Sequence, residues 1–256
     1  MKMSEFVRKF NFRKEGEMLI GIEREGFILD SDNRIVPLAG KVLERLKDNS
    51  RFGYELSACQ LEDRVGPCNL GDLRRRLLEN EAEIKKVEDD LNFSRLYCDV
   101  APADMPLDIY PDPTGRYQKI ARNIPDRILR AACRVAGVHV HVGMPDHGTA
   151  LAVYNKVIGS LDYLCAIGDL SGGERLSLYK IMAPNFKPSR YGNWKEFYES
   201  AVANGFAIDP RKCWHLIRIS VHGTIEFRMF GSTSDLSQIL NWGKICHDLC
   251  SDALGD

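Results

Sequence analysis

The chain has 256 residues, 44% of them hydrophobic and 28% charged, with a formal net charge of -1. That is enough apolar material for a full core, as one large domain or two small ones, and it lacks the basic excess of a nucleic-acid binder. No apolar run is long enough to cross a bilayer and Met1-Lys2-Met3-Ser4-Glu5 has no signal-peptide core, so no membrane partner and a cytoplasmic location are expected.

Residues 17–30 alternate as a strand, with Glu23 and Glu25 side by side on one face. Two carboxylates on one face repel, and a strand tolerates them where both are exposed or a cation neutralises them. After a turn at Asp30-Ser31-Asp32-Asn33, a short amphipathic helix is expected around Lys41–Lys47. Tyr54–Val65 reads as another strand, in which Glu55 and Glu62 have opposite parity. Both reach one site only through a break near Ser57-Ala58.

Beyond a turn at Gly66-Pro67, residues 70–92 carry the apolar stripe of a long scaffold helix. Its cluster Arg74-Arg75-Arg76 lies among glutamates and reads as a solvated face. A strand is expected over Ser94–Val100. Ala101–Tyr117, with Pro102, Pro106, Pro111 and Pro113, reads as an irregular loop and a candidate lid or substrate wall. Pro125 opens a short helix. It leads to Gly137-Val138-His139-Val140-His141-Val142-Gly143, where three valines share one face and His139 and His141 the other. The flanking glycines would leave open space in which a ligand or metal could approach the imidazoles.

An apolar helix over 149–168, interrupted at Gly159, ends at the turn Ser171-Gly172-Gly173. Leu176–Tyr191 is read as a basic loop carrying Lys180, Lys187 and Arg190, and Asn193 with Glu196 opens another helix. Trp214–Val221 and Thr224–Gly231 form a hairpin about His222-Gly223, with Glu226 and Arg228 sharing the polar face as Arg218 and Ser220 do across from them. Taken alone, that pattern is equally a surface salt bridge. A final helix spans about Ser234–Ala253. The eight cysteines lack C-x-x-C or zinc-finger spacing, so reduced, mostly buried thiols are expected.

Three strands thus pair an apolar face with a face bearing Glu-x-Glu, His-x-His or Glu-x-Arg, which suggests a lined cavity. Carboxylates with an occasional imidazole suit magnesium or manganese better than zinc. Such ions beside arginine are what bridging nucleotide phosphates requires.

The segments Gly21-Ile22-Glu23-Arg24-Glu25, Glu55 through Glu62, Gly137 through Gly143 and Gly223-Thr224-Ile225-Glu226-Phe227-Arg228 resemble, in the same order, the signature strands of bacterial carboxylate-amine ligases related to glutamate-cysteine ligase. The resemblance implies an α+β, glutamine-synthetase-like fold: a curved, mainly antiparallel sheet with helices on one face, as a single catalytic domain over 1–256. It implies ATP and Mg2+, with Mn2+ as a substitute, and an acyl phosphate that an amine converts to an amide. By motif, Glu23, Glu25, Glu55, Glu62, His139 and Glu226 would be metal ligands, and Arg228, with Glu226, would serve the transferring phosphate. Lys180, Arg190, Arg218 and His141 are candidate phosphate or substrate contacts. Small-molecule amino-acid and amine partners follow, and a homo-oligomer is compatible. The family usually extends further beyond the Glu-x-Arg strand. A related ATP phosphotransferase and a non-catalytic nucleotide- or metabolite-binding module remain the alternatives.

Overall fold

The computed structural model describes residues 2–46 and 50–255. Its strands are β1 (Ile20–Leu29), β2 (Phe52–Tyr54), β3 (Gln60–Cys68), β4 (Ser94–Leu96), β5 (Gly137–Gly143), β6 (Ile217–Ile219) and β7 (Thr224–Gly231). Its α-helices are α1 (Met3–Val7), α2 (Ala39–Arg45), α3 (Leu73–Leu91), α4 (Arg116–Asn123), α5 (Asp126–Arg134), α6 (His147–Val157), α7 (Leu161–Gly168), α8 (Glu174–Met182), α9 (Trp194–Ala203) and α10 (Leu236–Gly255). The sheet runs β2-β3-β1-β5-β7-β6, with β4 pairing the far end of β1 beyond β5. Every pairing is antiparallel. The expected α+β architecture with an antiparallel sheet is the one observed, but helices, expected on one face, lie on both.

The alternation in the strands explains the layering. Ile20 and Ile22 of β1, the three valines of β5, and Ile225 and Phe227 of β7 are buried in one continuous core. Helices α3, α6, α7 and α10 cover that side. Trp242 of α10 stacks on Phe230 with ring centroids 4.9 Å apart and donates its indole N–H to Ile167 O. Helix α9 is capped as its sequence predicts: Asn193 accepts from the Glu196 N–H at 3.0 Å, and the Glu196 carboxylate accepts from the Gly192 N–H. The opposite face of the sheet carries the carboxylates, and α4, α5 and α8 wall it.

Several elements differ from the sequence reading. The basic segment Leu176–Tyr191 is not all loop: α8 occupies its first part, because Arg175 and Tyr179, four residues apart, bury one helix face before Pro184 ends it. Strand β3 continues through Gly66-Pro67 to Cys68, and β4 stops at Leu96. Helix α2 ends at Arg45, and Lys47 lies outside the described residues. The stretch His147–Gly168, 22 residues with mean hydropathy 1.2, is long and apolar enough to cross a membrane, contrary to the expectation that no such run exists. In the fold it is α6 and α7, joined by a 3-10 turn at Ile158–Ser160 and packed on α10, β6 and β7. All eight cysteines are free thiols, and six of them are buried.

Candidate active site

The polar face concentrates ionisable groups from five segments. On β1, Glu23 and Glu25 point to the same side, and β5 brings the histidines beside them. His139 Nδ1 lies 3.2 Å from Glu23 Oε2, and its Nε2 lies 3.7 Å from Glu25 Oε1. His141 Nδ1 is 2.8 Å from the Thr224 hydroxyl, and its Nε2 is 3.5 Å from Glu23. Burial would push Glu23 toward its neutral form, but the imidazoles of His141 and His139 outweigh it and hold the carboxyl well below its ordinary range.

On β7, Glu226 is fully buried. Arg218, its cross-strand neighbour on β6, grips it from Nε and Nη2 at 2.7 and 2.9 Å, and Arg228 donates to it as well. Burial opposes the charge, yet the two guanidinium groups keep Glu226 well below the usual carboxylate pKa. This is no surface salt bridge.

Glu25, Glu55 and Glu62 form a second group, with one carboxylate oxygen from each within 4.8 Å of the others. The break predicted near Ser57-Ala58 produces it. The chain leaves β2 at Tyr54, bends through residues 55–59 and enters β3 at Gln60, so both glutamates reach one face. The proline-rich segment braces that bend: Ala58 N–H donates to Asp108 O at 2.8 Å, and Tyr110 N–H to Leu56 O at 3.0 Å. Burial and the neighbouring Glu25 push the Glu55 carboxyl up to about 8. Burial and Glu23 likewise push Glu62 well above its ordinary value.

A divalent cation fits these donors. The Glu25, Glu55 and Glu62 oxygens are hard and mutually repelling, and a second triad joins Glu23, His141 and Glu226 within the same 4.8 Å. His141 Nε2 is buried there without a hydrogen bond of good geometry. A cavity of about 270 Å³ opens over the carboxylates, walled by Tyr117, Ile120, Val135, Met182 and Trp214 among others. A second, of about 360 Å³, lies toward Arg13 and Gly143, and Glu23 and His222 line both.

Of the residues singled out from sequence, Glu23, Glu25, Glu55, Glu62, His139, Arg218 and Arg228 line the first cavity, and His141 lines the second. Glu226 lies beneath Arg218 and Arg228. Lys180 and Arg190 are exposed and line neither cavity. Lys180 lies on the outer side of α8, 5.8 Å from the Phe186 ring, while the buried Arg175 of the same helix lines the cavity instead. The proline-rich segment contributes a wall through its last two residues, Arg116 and Tyr117, which form the first turn of α4.

The glycines of β5 serve another purpose than the one expected. A Cβ on Gly137 would collide with the Arg175 guanidinium and Phe230 O, and one on Gly143 with Gly16 O, so close backbone and side-chain packing fills the space a ligand was expected to use. Arg175 donates to Ala136 O, Met229 O and Arg228 O at 2.8, 3.1 and 3.2 Å. The β5–β7 register shifts between Val138 and Val140, opposite residues 228 and 229, so Arg175 donates to carbonyls where the ladder is irregular. Arg175 and Arg64, which donates to Glu62, were missed in the sequence because each reads as an ordinary helix or strand charge.

The fold is shared with solved structures. A bifunctional glutathione synthetase from Pasteurella multocida superposes with a TM-score of 0.61 at 14% identity, over 94% of this chain and 38% of that one. An apo GmaS structure gives 0.50 at 14% identity, over 99% and 57%. No family model matches the chain. In sequence it is similar to curated proteins named "Putative glutamate--cysteine ligase 2": one from Gloeobacter violaceus is 26% identical over 252 residues, 90% of this chain and 66% of that protein. A relative from Rhodococcus jostii, named as the 2-1 form, is 29% identical over 239 residues, 83% and 62%. The resemblance to carboxylate-amine ligases carried by the four motifs therefore extends over most of the chain. The chain spans about two-thirds or less of the length of these relatives.

Proposed function

We propose that this chain is the catalytic domain of an ATP- and Mg2+-dependent carboxylate-amine ligase, which activates a carboxylate, in the family's manner glutamate's side chain, and joins it to an amine. The observation that supports it best is the meeting of two triads of candidate metal ligands, five glutamates and His141, with Arg218 and Arg228 on one sheet face, between two cavities that share Glu23 and His222. Glu25, Glu55 and Glu62 would hold one divalent ion, and Glu23, His141 and Glu226 another, with His139 beside both. When bound, such ions neutralise phosphate oxygens and lower the barrier to phosphoryl transfer.

The protein's own groups supply orientation and charge. Arg228, 10% exposed and anchored on Glu226, faces the cavity where it can pair with a phosphoryl oxygen. Arg218 holds Glu226 in a single orientation and donates to Cys213 O, which fixes the hairpin edge. The substrate carboxylate attacks the γ-phosphorus and ADP leaves. The amine then attacks the acyl carbon and phosphate leaves. The apolar wall of α4, α5 and α8 keeps water from the acyl phosphate between these steps. Arg116 and Arg211 at the cavity's edge are placed to receive a carboxylate of either substrate.

The test is incubation with ATP, Mg2+, glutamate and a mixed amine pool, followed by mass spectrometry. An amide that depends on both amine and ATP, with stoichiometric ADP, is the expected product. Full ligase activity in Glu23→Gln or Glu226→Gln would overturn the metal assignment. A stable phosphorylated product with no amide would overturn the ligase in favour of a phosphotransferase.

A further inference from the structure

On the helix side of the sheet, β1 and β3 bury an ion pair. Arg24 is fully buried and donates from Nε and Nη2 to Asp63 Oδ2 at 2.9 and 2.7 Å. Helix α3 holds both partners: Glu81 accepts from Arg24, and Asn80 donates to Asp63 Oδ1 at 3.4 Å and to Arg64 O at 2.9 Å. The Tyr97 ring covers the Arg24 guanidinium at 4.4 Å, and Arg95 secures Glu81 and Glu88 at 2.7 and 2.6 Å.

Charges buried in this way cost desolvation that a pair of apolar side chains would avoid, so stability alone is a poor reason for the network. The strand register offers a better one. Arg24 stands directly opposite Asp63, and the pairs on either side are Glu23 with Arg64 and Glu25 with Glu62. Each member of the ion pair therefore lies between two groups of the candidate site, on the reverse of the same strand. Glu25 facing Glu62 is a like-charge pair that works against this register. A slip of one residue would turn every carboxylate away from the cavity.

We infer that Arg24 and Asp63, anchored to α3 through Glu81 and Asn80, are positioning residues for the divalent-cation site. They pin β1 to β3 against the repulsion of Glu25 and Glu62 and so preset the gap at which those carboxylates receive the ion. This inference rests on the cation reading given above.

The experiment uses the full chain, Mn2+ as probe and its electron paramagnetic resonance signal as readout of binding. Arg24→Met with Asp63→Leu removes one charge of each sign and leaves Arg95 to hold Glu81. The double variant keeps the native circular dichroism spectrum and binds Mn2+ at least about 10-fold more weakly, the scale seen when groups behind a metal ligand are lost. Val153→Ala, a core truncation on α6, lowers the melting temperature and leaves Mn2+ affinity unchanged. A folded double variant with wild-type affinity overturns the inference and leaves the site assignment standing. A wild-type chain that takes up no Mn2+ overturns both. Should the double variant fail to fold, Arg24→Lys replaces it, since it keeps the charge but loses the two-pronged bond; about threefold weaker binding is expected, and wild-type affinity overturns the inference.

Discussion

Replacing Arg175 by methionine isolates one term in the construction of the site. The side chain is buried, and its three donors go to the carbonyls of Ala136, Met229 and Arg228. Methionine fills much the same volume and leaves those oxygens without that partner. At about 1–1.5 kcal/mol for each lost bond, the change comes to roughly 3–4.5 kcal/mol. For a domain of this size the melting temperature moves by about 2–4 °C per kcal/mol, so a fall of about 6–18 °C is expected by differential scanning calorimetry. The loss is local in origin: amide exchange should accelerate first in residues 228–231, where the ladder is irregular. Arg175→Lys, able to reach only part of that set, should fall between. A melting temperature for Arg175→Met within about 2 °C of wild type would refute the idea that this guanidinium holds the β5–β7 irregularity together.

Other outcomes follow from the same structure. Glu55 and Glu62 titrate above the unfolded carboxylate range, so the stability linked to their neutral forms is complete below about pH 4.5 and is lost as pH rises toward about 8 for Glu55. His141, shifted up by Glu226 and Glu23 against burial, adds a loss in the same direction, whereas His139, shifted down by burial, opposes it. Glu23 and Glu226, shifted down, weaken the fold only at acid pH. Metal-free protein should therefore melt lower at pH 8 than at pH 5.5, with Mg2+ restoring most at the higher pH; a rise in melting temperature over that range without metal would contradict the burial argument. Asn193→Ala removes the α9 cap and should cost about 1 kcal/mol in urea denaturation, with Mn2+ affinity untouched. Thiol titration with an aromatic disulfide should label Cys98 and Cys165, the two half-buried cysteines, and reach the other six only after unfolding.

Much of this site was legible because strand alternation has a period of two, and side chains of one parity must share a face. Glu23 with Glu25, His139 with His141 and Glu226 with Arg228 could be paired on that ground alone. The break at residues 55–59 was legible for the opposite reason, since Glu55 and Glu62 have the wrong parity for a regular strand. Arg24 was not legible: a charge between two charges reads as a wet strand, and only the helix packed behind it makes it a buried one. Lys180 and Arg175 were exchanged in importance because a five-residue separation on α8 turns one outward when the other faces in. The roles of Gly137 and Gly143 depend on Arg175 and Gly16, distant in sequence, which local pattern does not reveal.

The brace between the proline-rich segment and the bend at residues 56–58 ties loop length to chemistry. Surface connections ordinarily absorb insertions and deletions at little cost. Here the backbone bonds from Ala58 to Asp108 and from Tyr110 to Leu56 fasten the connection next to Glu55. Adding or removing a residue between Ala101 and Asp108 would pull on the tether that sets how far Glu55 stands from Glu25. The segment thus acts as a spacer, and a change in its length is transmitted through these two bonds to the bend that carries Glu55.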